Sequence, residues 1–83
     1  MEFKYSHHAN EQIELRGLDK SSIDDVLNYP SKIVSESSDI NIYQKIILEN
    51  NRNFLYRIFV NIRKIPPLVI TAYKTSKIEK YEN

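Results

Sequence analysis

Cysteine is absent from this 83-residue chain. Its absence excludes disulfides and thiolate metal sites, and it fits a reducing compartment. Glycine occurs once, at Gly17, and one glycine can build neither a flexible linker nor a phosphate-cradling loop. No serine has the flanking glycines of a nucleophile elbow. No apolar run reads as a signal peptide or reaches membrane-spanning length, so a soluble cytoplasmic protein with no membrane role is expected. His7, His8 and Glu11 lack a third well-spaced His or Cys, and a structural zinc site draws on four ligands. Neither a metal nor another cofactor is therefore expected. A chain this short buries roughly 60% of its unfolded surface, which favours a single domain over 1–83 with a shallow groove.

Negative charge is missing from part of the chain. Residues 1–49 carry nine acids and five bases, a net of −4, whereas 50–83 carry seven bases and two acids, a net of +5. Between Asn50 and Ile78 six Lys or Arg occur without one Asp or Glu. A surface of one sign attracts phosphate-rich partners or an acidic protein.

What is present sorts into two halves. "EFKY" reads as a short opening strand. Ser6 is placed to cap a helix in which Ala9, Ile13 and Arg16 share one side and Gly17 supplies the left-handed stop. Neighbours on a helix point about 100° apart, so one of His7 and His8 is expected to face inward. Glu11 or Gln12 is expected to pair with Arg16 on the next turn. Leu18, Ile23, Val26 and Leu27 predict a second short helix, capped by Ser21 or Ser22, with Asp24 and Asp25 in its first turn. After Pro30 the period becomes two. "KIVSES" is a modest strand, and "INIYQKIILE" sorts Ile40, Ile42, Gln44, Ile46 and Leu48 from Asn41, Tyr43, Lys45 and Ile47. "ENNRN" is a turn. "FLYRIFVNIR" directs Tyr56, Ile58, Val60 and Ile62 to the core and Leu55, Arg57, Phe59, Asn61 and Arg63 outward. "LVITAYK" sorts Leu68, Ile70 and Ala72 from Val69, Thr71 and Tyr73. The expected fold is α+β, an N-terminal helical hairpin packed on one face of a small antiparallel meander.

Strand alternation predicts Tyr43, Lys45, Arg57, Thr71 and Tyr73 on the sheet face away from the helices. Cations and phenols without a carboxylate suit an RNA strand, phosphates on Arg and Lys and bases on the rings. They also suit transesterification by a 2′-hydroxyl, which needs a proton acceptor, a proton donor and a counter to extra charge on phosphate. Arg57 can hold a phosphate through two parallel hydrogen bonds; the plainer reading is a strand arginine lying along a tyrosine. A histidine at a helix N-terminus is held neutral and can accept a proton; the plainer reading is packing. The tail "KTSKIEKY" adds Lys74, Lys77, Lys80 and Tyr81, and a last helical turn there would bring Lys77 and Tyr81 to one side.

"YSHHANEQIELRGL", "FLYRIFVNIRKIPP" and "LVITAYKTSKIEKY", in that order, resemble the opening helix, penultimate strand and closing strand with tail of the domain-of-unknown-function 4258 family. That family looks like a branch of the RelE/ParE-like toxin superfamily. The resemblance implies a helical hairpin on an antiparallel sheet and a toxin of a bacterial type II toxin-antitoxin system. Such a toxin is an endoribonuclease that inhibits translation by cutting mRNA, often on the ribosome, and is neutralised by a co-encoded antitoxin protein. By position the resemblance carries over His8 rather than His7, Arg16, Arg57, Thr71, Tyr73, Lys77 and Tyr81. Better-known ribonucleases of the superfamily use several lysines and arginines with a C-terminal tyrosine. The site expected here has Arg57 on the scissile phosphate and His8 or Tyr73 handling protons. Lys45, Lys74 and Lys77 hold flanking phosphates, with Tyr43, Thr71, Tyr81 and Arg16 also against the RNA. ParE-like relatives act on gyrase and need no nuclease site. A non-catalytic inhibitor of such a protein target and a non-toxic RNA-binding domain are the alternatives.

Overall fold

A computed structural model describes residues 2–81, and its elements change type at Pro30, as the period does. Strand β1 (Lys4–Tyr5) leads into helix α1 (His7–Leu15) and helix α2 (Lys20–Asn28). Strands β2 (Lys32–Ser35), β3 (Ile40–Glu49), β4 (Arg52–Asn61) and β5 (Leu68–Thr75) follow, and a 3₁₀ turn covers Ile78–Lys80. The sheet order is β1-β5-β4-β3-β2. β2 to β5 form the expected antiparallel meander, but β1 adds parallel to β5, so the sheet is mixed rather than wholly antiparallel.

Local chemistry explains both helices. Ser6 Oγ accepts from the Ala9 N–H at 3.0 Å, and Gly17 ends α1 at φ +60°, where a Cβ would be strained. Ala9 and Ile13 take the inward positions, so His7 and His8 are both exposed and neither faces the core. Glu11 pairs with His7 at 3.4 Å rather than with Arg16, whose guanidinium donates to the Ala72 carbonyl at 2.7 Å. α2 starts earlier than expected. Its cap is Asp19, not a serine: the carboxylate accepts from the Ser21 N–H at 3.3 Å and from the Ser21 and Ser22 hydroxyls at 2.9 and 3.2 Å. Asp24 and Asp25 consequently lie beyond the first turn.

The β3–β4 turn fixes the register between those two strands. Asn50 and Asn51 have φ of 50° and 64°, the conformation that a two-residue hairpin loop requires. Glu49 then meets Arg52, which sets Lys45 opposite Tyr56, Gln44 opposite Arg57 and Tyr43 opposite Ile58. On the other side of β4, Arg57 meets Tyr73 and Phe59 meets Thr71. A bulge between Phe59 and Val60 shifts the pairing, so that Val69 joins Val60 on the same face as Ala72 and Ile58. The expected division of this strand is thereby corrected: Val69 and Ala72 both face the helices.

One sheet face carries the main core. Ala9, Ile13, Leu18, Ile23, Val26 and Leu27 from the helical half pack on Tyr56, Ile58, Val60, Val69 and Ala72. α1 lies on β5, and α2 on β3 and β4. Ile62 falls past the end of β4 and is exposed, so it takes no part in the core. Tyr43 and Lys45 belong to this helix-covered face, which overturns their expected place beside Arg57. The Tyr43 ring meets Phe3 edge-on at 5.8 Å, and Lys45 Nζ pairs with Asp25 of α2 at 2.9 Å. Lys74 is here too, 2.7 Å from Glu49, whose carboxylate also accepts from the Tyr56 hydroxyl.

Candidate functional site

The opposite face has no helix over it, and its centre is Arg57. β4 holds this residue between Gln44 on β3 and Tyr73 on β5. Nε donates to Gln44 Oε1 at 3.1 Å, and Nη1 donates to the Tyr73 hydroxyl at 2.7 Å. Gln44 is only 4% exposed, so its amide is a fixed acceptor rather than a mobile one. The 3₁₀ turn carries Tyr81 back over the sheet, with its ring centre 4.3 Å from the guanidinium. Phe59 and Tyr73 flank the same cation at 5.8 and 5.9 Å. Three rings, an amide and a phenol thus surround Arg57, and among the described residues no carboxylate pairs with it. Its Nη2 edge has no partner among them either, which leaves donors for an incoming anion.

The two phenols are not equivalent. The Tyr73 hydroxyl donates to Tyr81 Oη at 3.4 Å. Burial, and that donated bond, push the Tyr73 phenol up despite the neighbouring Arg57. The accepted bond from Tyr73, then the charges of Lys80 and Arg57, bring the Tyr81 phenol below its ordinary value. Tyr81 is the one that releases its proton more readily.

Two hollows adjoin this centre. One, of about 460 Å³, is lined by Ser31, Lys32, Gln44, Lys45, Ile46, Leu55 and Tyr81. The other, of about 720 Å³, is lined by Arg16, Arg52, Phe54, Tyr73, Lys74, Thr75 and Ser76. Tyr81 and Gln44 border the first, and Tyr73 borders the second beside Lys74 and Phe54 of the helix-covered side.

The expected residues therefore divide into groups. Arg57, Thr71, Tyr73 and Tyr81 come together on the open face. Arg16 and Lys74 meet in the larger hollow. Lys77 is exposed at the start of the 3₁₀ turn, its N–H donating to Thr75 Oγ1 at 3.0 Å. Tyr43 and Lys45 face the helices. His8 is exposed on α1, the helix packed on the other side of the sheet from Arg57, and so is not beside that residue. Gln44, Lys32 and Arg52 were not singled out from the sequence. Counting back from a two-residue Asn50–Asn51 loop places Gln44 against Arg57, so that signal was present.

No family profile, curated protein or solved structure matches the chain. The residues themselves carry the functional reading.

Proposed function

We propose that this chain is the toxin of a type II toxin-antitoxin system, an mRNA endoribonuclease that works by transesterification. The observation that carries this reading is Arg57, held without a carboxylate partner between two phenols of unequal acidity. The guanidinium meets the scissile phosphate through its free edge and offsets the charge that builds up on it. Tyr81, in its phenolate form, takes the proton of the 2′-hydroxyl as that oxygen attacks phosphorus. The bond to the 5′-oxygen breaks, and the leaving oxygen takes the Tyr73 proton. A 2′,3′-cyclic phosphate and a 5′-hydroxyl result, and the hydrogen bond between the tyrosines returns the proton from Tyr81 to Tyr73. Lys77, exposed on the turn that carries Tyr81, is the cation that holds a flanking phosphate, and Phe59 offers a base-stacking plane. His8 has no part in this chemistry. A co-encoded antitoxin with acidic character is the partner that neutralises the positive face.

The test is induced expression in a bacterium, wild type beside Arg57→Ala, following growth and total mRNA integrity. Wild type is expected to arrest growth and shorten mRNA. Arg57→Ala is expected to do neither while keeping its circular dichroism, at a stability cost of about 1 kcal/mol for the lost hydrogen bonds. Arrest with intact mRNA would replace the nuclease by an inhibitor of a protein target such as gyrase. Growth unaffected by folded wild type would leave a non-toxic RNA-binding domain.

A further inference from the structure

The two edges of the sheet are treated differently. Along β5, β1 pairs with Leu68 and Val69, Ser6 donates to the Val69 carbonyl at 2.9 Å, and Arg16 covers the Ala72 carbonyl. Along β3, pairing to β2 ends at Gln44, whose carbonyl accepts from Ser31 at 3.0 Å. Because Glu49 is paired with Arg52 across the tight turn, odd residues of β3 direct their backbone groups to β4 and even residues direct theirs outward. The N–H and C=O of Ile46 and Leu48 therefore point to an edge that no described residue covers. Their side chains are 38% and 67% exposed, and no proline interrupts this edge.

We infer that this edge is the pairing surface for a second copy of the chain, joined antiparallel about a two-fold axis through Ile47. Only that register sets both free residues against free residues, Ile46 against Leu48 of the partner and the reverse, for four backbone hydrogen bonds. Centring on Ile46 or Leu48 instead would run one of them against Gln44, already taken by β2, or into the Asn50 turn. The side chains agree with this choice: Ile46 and Leu48 of both copies form one apolar group on the open face, while Lys45 and Glu49 keep Asp25 and Lys74 of their own chain. The segment 45–49 fits the notch that β2 leaves, and the partner's hairpin turn closes against Ser31. The pairing joins two five-stranded sheets into one of ten strands. It does not depend on the ribonuclease reading.

Ile47 would meet its own copy at a non-hydrogen-bonded position, where Cα atoms lie ~4.5 Å apart and a disulfide can close. Since the chain has no cysteine, Ile47→Cys tests the geometry directly. Under mild oxidation it is expected to yield a covalent dimer, whereas Leu15→Cys, on an exposed α1 position, yields none. Sedimentation equilibrium gives a second measurement that needs no buried substitution. Wild type is expected to dimerise with rising concentration, Leu48→Lys to weaken that association by roughly tenfold or more, and Leu15→Lys to leave it unchanged. A wild-type monomer at every concentration, or a dimer indifferent to Leu48→Lys, would overturn the pairing.

Discussion

At the scale of single residues, neighbours set the chemistry more than residue type does. Tyr81 is the more acidic phenol chiefly because Tyr73 donates a hydrogen bond to it. In the proposed mechanism it accepts a proton and is active when deprotonated, so cleavage should rise with pH through its titration. Tyr73→Phe removes the proposed proton donor together with the largest cause of Tyr81's low value, so cleavage should fall and the rise of what remains should move to higher pH, read from the pH profile of RNA cleavage. Tyr81→Phe should abolish the rise. The residue identities were legible in the sequence, but this pairing was not, because it requires the tail to fold back over the sheet. Glu49 is a second case, structural rather than chemical. Lys74 first, then the Tyr56 hydroxyl, hold its carboxyl below the usual range, while burial with Glu49 pushes the Tyr56 phenol up to about 12. A lowered carboxylate contributes stability in full above its unfolded value of about 4.3, lost as pH falls through the folded value. Glu49→Gln should therefore flatten the acid limb of a stability-against-pH curve. Near neutrality it should cost roughly 1–3 kcal/mol by denaturant unfolding, because Lys74 loses a charged partner.

At the scale of elements, period was easier to read than register. Helix and strand positions followed from spacing, and the Tyr56, Ile58, Val60 face of β4 was assigned correctly. The apolar row of β3 misled. Ile42, Ile46 and Leu48 look more core-like than Tyr43 and Lys45, yet the Asn50–Asn51 turn dictates the reverse. Buried Ile42 and Leu55 belong instead to the open face, outside the helix-covered cluster. Turn geometry outweighs hydropathy here because a one-residue slip would turn every side chain over. The α2 cap was missed for a related reason: Ser21 and Ser22 are good caps, but their hydroxyls serve Asp19 instead. Asp19→Ala should lower the melting temperature, and by more than Ser21→Ala does, since it removes the group that accepts the first-turn N–H.

At the scale of the molecule, the sheet separates the main core from the proposed site. Its helix-covered face holds the main core, and Lys45 and Lys74 on that face are neutralised by Asp25 and Glu49. The open face keeps Arg57 without an acid. Charge counting located the positive half of the chain but could not say which cations were already spoken for, since both of these partners lie in the acidic half. Ile58 is fully buried at the centre of the core, so Ile58→Ala should destabilise by ~2–5 kcal/mol in chemical denaturation. The same change should leave the chemistry at Arg57 intact wherever the chain remains folded, a separation that activity per folded molecule would measure.

The parallel pairing of β1 with β5 also sets the order of assembly. Lys4 meets Leu68, and α1 packs chiefly on β5, so the first helix is made long before the strand that shelters it. The β3–β4 hairpin closes over two residues, whereas the α1–β5 seam closes a loop spanning most of the chain, a larger entropy to overcome. The hairpin is thus the expected folding nucleus, and the seam is expected to form after the transition state. A lesion in α1 or Ser6 should then leave the folding rate nearly unchanged and hasten unfolding, shortening the lifetime of the native state.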